Sequence, residues 1–166
     1  MKDSGMRSEN HTLVLGVGNP LCGDDGVGAR VIELLGEPAS ISGRTLPPGT
    51  CLQDAGLPGW GLPSWFEGWS RVFLVDAVDM GLEPGMWRRF CPEEVKYSLA
   101  DETFSLHQPD LACGLALAQA LNLLPEDLVI YGVQPADTTP GAPLSPQVNA
   151  SLPQLVESLI NEINNA

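Results

Sequence analysis

Residues 12–35 read TLVLGVGNPLCGDDGVGARVIELL. The run from Thr12 to Val17 is almost wholly apolar, which is typical of a strand that is buried on both faces. Apolar residues recur at helical spacing from Val27 to Leu35, so this segment is predicted to be an amphipathic helix. The glycine-rich residues 16–28 join the two elements. They predict a strand-to-helix turn that presents a carboxylate, Asp25, at the mouth of a cleft.

Strands alternate with helices along the rest of the chain. This order is typical of a mostly parallel sheet that is covered on both faces. We therefore predict an α/β fold, a three-layer α/β/α sandwich whose mostly parallel sheet has about five strands. Residues 1–11 are predicted to be a polar lead-in, and residues 12–166 a single domain. Further strands are predicted at residues 50–53, 72–75, 86–90 and 128–133, and helices between Gly59 and Ser70 (with Trp60, Trp65 and Trp69), at 109–124 and at 147–163.

The amino-acid composition and charge of the chain indicate which kinds of partner to expect. With 166 residues, of which 43% are hydrophobic, the chain is long enough for one globular domain with a core. Eight basic residues against 21 acidic ones give a formal charge of −13, so we expect no nucleic acid or membrane partner. We expect no secretory signal, because residues 1–7 contain no apolar core, and no membrane span, because no run reaches the roughly 18 apolar residues that one needs. The four cysteines form no Cys-x-x-Cys pair, which favours reduced thiols and a cytoplasmic location.

Several acidic side chains and one histidine follow the predicted strands. Ligands of a parallel sheet bind beyond the carboxyl ends of its strands, so these residues are candidates for one site. We expect Asp24 to cap the following helix and Asp25 to face the cleft, because adjacent turn residues seldom point the same way. The candidates are Asp24 and Asp25 after the first strand, Asp54 after the second, Asp76 and Asp79 after the next strong one, and His107 before a helix.

Asp76 and His107 are the favoured partners of Asp25. A carboxylate after four buried apolar residues is costly to place unless it is solvated, capped or bound, and the alternative is an ordinary loop aspartate. The dipole at a helix N-terminus disfavours imidazolium, which keeps a neutral nitrogen of His107 available as a ligand. One histidine and two carboxylates can hold a divalent ion with open positions. The other histidine, His11, precedes the first strand and is interpreted as structural or exposed.

Two other kinds of chemistry compete for the same turn. Gly16-Val17-Gly18 after a strand invites a dinucleotide-binding interpretation, and Asp54 could then serve as the acidic residue after strand two. The third glycine of that fingerprint is replaced by Leu21, which makes a dinucleotide-binding oxidoreductase the weaker hypothesis. Cys22 could pair with His107 as a nucleophile, although a cysteine in such a turn is more often a small buried apolar residue.

The sequence resembles a known family over about residues 12–160. Residues 16–28 (GVGNPLCGDDGVG) are similar to the opening motif of the NiFe-hydrogenase maturation endopeptidases, in which Gly-x-Gly-Asn is followed by Asp-Asp or Asp-Glu. Later segments resemble the family in the same order: Val75-Asp76-Ala77-Val78-Asp79, Leu106-His107-Gln108 and Tyr131-Gly132-Val133-Gln134-Pro135.

The resemblance implies an endopeptidase that removes the C-terminal extension of the hydrogenase large-subunit precursor after nickel insertion. It implies that Asp25, Asp76 and His107 are the catalytic and metal-binding residues through which the protease engages nickel. The nickel is then carried by the substrate as a recognition mark, and zinc or cadmium could replace it in vitro. The loop 135–146 and the stretch Leu57 to Trp65 are candidate substrate-contact surfaces. A non-enzymatic nickel-binding maturation chaperone with the same ligands is the alternative.

Overall fold

The structure, a computed structural model, describes residues 12–37, 45–94, 105–106 and 109–165. Its main sheet has the strand order β2-β1-β3-β6-β4, and a two-residue strand, β5, pairs with β3 beside it. β1, β2, β3 and β6 run parallel, whereas β4 is antiparallel to β6. The strands are β1 (Thr12–Gly16), β2 (Thr50–Asp54), β3 (Arg71–Asp79), β4 (Trp87–Phe90), β5 (Ser105–Leu106) and β6 (Asp127–Val133).

Helices cover both faces of this sheet. α1 and α4 pack on one face through a cluster that includes Val27, Val31 and Leu159, and α2 and α3 pack on the other through Leu62 and Leu115. Each fully buried aliphatic side chain of this kind contributes about 1.5–3 kcal/mol relative to its exposed form. The predicted three-layer α/β/α sandwich with five strands in a mostly parallel sheet is therefore confirmed. The helices are α1 (Val27–Gly36), α2 (Leu62–Phe66), α3 (Pro109–Ala120) and α4 (Pro146–Asn164), with 3-10 turns at Gly23–Gly26 and Gly59–Gly61.

β3 is longer than the predicted strand at residues 72–75. Asp76 pairs in register with Gly132 of β6, and Asp79 pairs with Ser105 of β5. Because these partners lie far away in the sequence, the apolar run alone did not reveal where the strand ends. Asp76 and Asp79 therefore lie within β3, near its carboxyl end, rather than after it.

The helix predicted around the three tryptophans is also shorter. α2 ends at Phe66, because Glu67 is extended and Gly68 has a φ of +82°. Trp60 lies in the preceding 3-10 turn and is 66% exposed, whereas Trp65 and Trp69 pack against the core. Of the three tryptophans, only Trp65 therefore lies in the α-helix.

Two further observations complete the fold. α3 ends at Ala120 instead of the predicted residue 124, and Asn122 there adopts a φ of +55°. Among the described residues, no helix combines the length and apolar character that crossing a bilayer requires. The predicted lead-in, residues 1–11, lies outside the described residues.

Candidate functional site

The turn after β1 folds tightly because its glycines allow close backbone contact. Gly18 has a φ of +120°, and a Cβ there would lie 1.9 Å from the carbonyl oxygen of Asp25. Any side chain at this position would therefore push the returning chain away. The backbone N–H of Asn19 donates to Oδ2 of Asp25 at 2.8 Å, which fixes that carboxylate against the turn. Asp25 is only 5% exposed.

Close backbone contacts at Gly16 and Gly28 also let α1 pack tightly against the sheet. A Cβ on Gly28 would lie 2.4 Å from the carbonyl oxygen of Val17 and 2.7 Å from that of Val75. A Cβ on Gly16 would lie 2.5 Å from the carbonyl oxygen of Gly28. The helix-to-strand contact therefore depends on Gly16 and Gly28. Leu21, which occupies the position of the missing third glycine, is exposed instead.

Asp76 is buried beside Asp25. Side chains alternate along a strand, so Asp76 shares the face of Val72 and Leu74, which α2 and α3 cover. Oδ1 of Asp76 accepts a hydrogen bond from the backbone N–H of Ala77 at 2.9 Å. Burial and, next, the negative charge of Asp25 raise the pKa of the Asp76 carboxyl well above its ordinary value. The structure thus brings two of the three predicted site residues into one electrostatic environment.

His107, the third predicted residue, lies outside the described residues, so its role stays a prediction. The residue before it, Leu106, pairs with Val78 of β3. Across the residues that are described, no three His, Cys, Asp or Glu side chains form a group that could hold a metal ion. Cys22 is half-buried in the turn, and its proposed pairing with His107 is likewise untested.

Asp24 does not cap the helix, so that prediction was wrong. Gly26 occupies the N-cap position of α1 and Cys22 that of the 3-10 turn, and neither cap has a side-chain hydrogen bond. Asp24 is 0% exposed, and its two oxygens point to a different part of the chain. Oδ2 accepts hydrogen bonds from the backbone N–H groups of Ala136 at 2.7 Å and Asp137 at 3.0 Å. Oδ1 accepts one from the backbone N–H of Ser145 at 2.6 Å.

Gln134, at the end of β6, is a site residue that the motifs did not single out. Its Oε1 accepts hydrogen bonds from the backbone N–H groups of Met80 at 2.7 Å and Leu82 at 3.2 Å. Its Nε2 donates to Oδ1 of Asp79 at 3.2 Å. Gln134 therefore fixes the segment that leaves β3 after Asp79, a few residues beyond Asp76. The sequence signal that could have identified Gln134 is its position between an apolar strand and Pro135.

Asp54 takes a minor role at the same edge of the sheet. It is exposed, and its Oδ1 accepts a hydrogen bond from the backbone N–H of Gly56 at 3.0 Å. This contact shapes the turn after β2. The buried acids at this edge are instead Asp24, Asp25 and Asp76.

Comparisons of both sequence and structure find this chain similar to proteins of hydrogenase maturation. The family model described as hydrogenase maturation protease matches residues 32–162. The hydrogenase expression/formation protein HupD of Bradyrhizobium diazoefficiens is 34% identical over 141 residues, which cover 84% of this chain and 71% of the relative. The hydrogenase maturating endopeptidase HybD from E. coli superposes with a TM-score of 0.76 and 25% identity, with 93% of each chain covered. For the NiFe hydrogenase maturation protease HybD from Thermococcus kodakarensis, the TM-score is 0.72 at 26% identity, with 92% of this chain and 99% of that one covered.

Proposed function

This chain belongs to the hydrogenase maturation protease family, and from that premise we propose that it removes the C-terminal extension of a NiFe-hydrogenase large-subunit precursor after nickel insertion. In this proposal the enzyme hydrolyses one peptide bond and recognises the nickel that the precursor already carries. Family membership supports the protease activity. The dependence on nickel rests on the two buried carboxylates of Asp25 and Asp76.

The observation that carries the nickel part of the proposal is the pairing of Asp25 with Asp76. Each is only 5% exposed, and the charge of Asp25 contributes to the raised pKa of Asp76. Two buried carboxylates in one place repel each other when both are ionised. A divalent cation between them would relieve that repulsion, so the pair favours a ligand that brings positive charge.

We propose His107 as the third ligand. It follows Leu106 directly in the sequence, and Leu106 pairs with Val78, two residues after Asp76. A histidine nitrogen and two carboxylates suit a borderline ion such as nickel, and zinc or cadmium fit the same donors. Since the ion belongs to the substrate, a precursor without nickel lacks these contacts and binds more weakly. Specificity then arises from a missing contact in the unloaded precursor.

Cleavage requires a water molecule to attack the scissile carbonyl carbon, an acceptor for the proton of that water, and stabilisation of the oxygen that becomes negative. A carboxylate of the Asp25–Asp76 pair can accept the proton. The nickel of the precursor can polarise the carbonyl group. The accepted proton is then available for the leaving amine.

The test is to incubate the protein with nickel-loaded and with nickel-free large-subunit precursor and to follow the release of the C-terminal extension by mass spectrometry. We expect release from the loaded form only. Asp54→Asn is the matched control for Asp25→Asn. Asp54 is an exposed acid at the same edge of the sheet, and the amide oxygen of asparagine can still accept its hydrogen bond from Gly56. Equal release from both precursors would refute nickel recognition. Binding of the loaded precursor without any release would favour the chaperone.

A further inference from the structure

Six hydrogen bonds join the turn after β1 to the loop formed by residues 136–145. Three of them end on the carboxylate of Asp24, as described above. The other three are between backbone groups. They run from Gly23 N to Ala142 O at 3.1 Å, from Asp24 N to Asp137 O at 2.8 Å and from Gly141 N to Leu21 O at 2.7 Å. The turn and the loop are therefore joined along their length.

The backbones of the two segments also touch. Gly23 has a φ of +56°, and a Cβ there would lie 2.3 Å from the carbonyl oxygen of Asp137. Only glycine allows this approach. The loop is otherwise open to solvent at several positions. The exposed residues are Ala136, Asp137, Thr139, Pro140, Gly141 and Pro143.

The hydrogen bonds of Asp24 require a carboxylate. N–H donors reach both of its oxygens, and an amide has only one acceptor oxygen. The donor Ser145 is also the N-cap of α4, because its Oγ accepts a hydrogen bond from the backbone N–H of Val148 at 3.3 Å. Asp24 therefore ties the turn both to the loop and to the first residues of α4. Hydrogen bonds to a charged acceptor are stronger than those between neutral groups, so this connection is a strong one.

We propose that Asp24 is a positioning residue that holds the turn and the loop 136–145 as one rigid unit. Through the turn it keeps Asp25 close to Asp76, and through the loop it fixes an exposed surface along which the precursor tail lies. Asp24 itself touches neither the tail nor the nickel. The second half of this proposal rests on the proposed protease function, whereas the first half concerns the free protein.

The test compares Asp24→Asn with two controls. Asp137→Asn likewise removes one negative charge, but from the loop itself and at an exposed side chain, whose Oδ1 accepts a hydrogen bond from the backbone N–H of the nearby Thr139 at 2.8 Å. Leu159→Ala lowers stability by opening a cavity at a fully buried position, far along α4 from its N-cap Ser145. This control therefore shows the effect of lower stability alone, without any change in the contacts between the turn and the loop.

The first measurement is amide hydrogen exchange of the free proteins. In Asp24→Asn we expect the amides of Ala136, Asp137 and Ser145 to exchange at least tenfold faster than in the wild type. The core strand β3 should change much less, and both controls should keep slow exchange in the loop. Unchanged exchange of the three amides in Asp24→Asn would overturn the proposal.

The second measurement is single-turnover cleavage at saturating nickel-loaded precursor, well below the unfolding midpoint of each variant. A misplacement of about 1 Å can cost roughly a hundredfold in rate, so we expect Asp24→Asn to be slowed between tenfold and a hundredfold. Leu159→Ala should stay within about twofold of the wild type, because its folded molecules keep the turn and the loop intact, whereas Asp137→Asn serves as a control for the exchange measurement only. If Asp24→Asn cleaves at the wild-type rate although its loop exchanges fast, the positioning role is refuted. If the wild type cleaves nothing, the proposed function fails, and the exchange comparison still decides whether Asp24 holds the loop.

Discussion

Replacing Gly28 by alanine tests how the site depends on the seating of α1. A Cβ at this position would lie 2.4 Å from Val17 O, 2.5 Å from Val17 N and 2.7 Å from Val75 O. Contacts below 3.0 Å essentially never occur for real Cβ atoms, so α1 must retreat by at least about 0.6 Å. All three obstructing atoms are backbone atoms, two of Val17 directly after β1 and one of Val75 in β3, and backbone cannot yield as a flexible side chain would.

The expected cost of Gly28→Ala follows from two opposing effects. Overpacking of a well-packed interior costs about 1–3 kcal/mol, and more where backbone must move. Alanine regains up to about 1 kcal/mol through its better helix propensity. We expect a net loss of about 1–3 kcal/mol in the free energy of unfolding, measured by urea denaturation. Because the turn that carries Asp25 leads straight into α1, we also expect cleavage of the loaded precursor to slow at least tenfold.

Gly36→Ala is the matched control in the same helix. The nearest atom to a Cβ there is Cδ1 of Leu52 at 4.0 Å, so the methyl group fits without any shift. We expect unchanged or slightly higher stability, by up to about 1 kcal/mol, and unchanged cleavage. If Gly28→Ala matched Gly36→Ala in both stability and activity, the close seating of α1 could not be what positions Asp25.

Two further predictions concern buried acids and their partners. Because burial and Asp25 raise the folded-state pKa of Asp76, its ionisation costs stability above that pKa, and the cost vanishes below the unfolded value. Asp76→Asn should therefore melt at a higher temperature than the wild type near neutral pH, with the gain shrinking towards acid pH; a less stable variant at pH 7 would contradict this. Glu162 accepts hydrogen bonds from Tyr131 Oη at 2.5 Å and Arg89 Nε at 2.9 Å. Glu162→Gln should lower the free energy of unfolding by about 1–3 kcal/mol in urea denaturation. Burial and then Glu162 raise the pKa of Tyr131 to about 12, so the same variant should lower that pKa in an ultraviolet titration. An unchanged tyrosine titration would show that Glu162 has no such influence.

The sequence predicted the turn well because its signals are local. An apolar run, closely spaced glycines and a helical stripe all lie within residues 12–35, and β1 and α1 follow them closely. The pairing of Asp25 with Asp76 was also predictable. It follows from the rule that acids near the carboxyl ends of parallel strands meet at one edge of the sheet.

What the sequence could not predict depends on distant partners. The three N–H groups that bind Asp24 lie 112, 113 and 121 positions further along the chain. An acid before a helix is therefore interpreted as a cap, because capping is the only local use for it. The role of Gln134 was missed for the same reason, since its partners at Met80 and Leu82 are more than fifty positions away. The end of β3 depends on pairing with β5 and β6, which no local pattern encodes.

The central claim is that the buried carboxylates of Asp25 and Asp76 recognise the nickel of the precursor. The most direct test measures the dissociation constants of nickel-loaded and nickel-free precursor for the wild type and for Asp25→Asn, with Asp54→Asn as control. The account predicts that the wild type and Asp54→Asn bind the loaded form at least tenfold more tightly, a difference of about 1.4 kcal/mol or more. In Asp25→Asn this preference should largely disappear, while the affinity for the nickel-free form stays unchanged. A wild-type protein without any preference, or an Asp25→Asn variant that retains the full preference, would contradict the account.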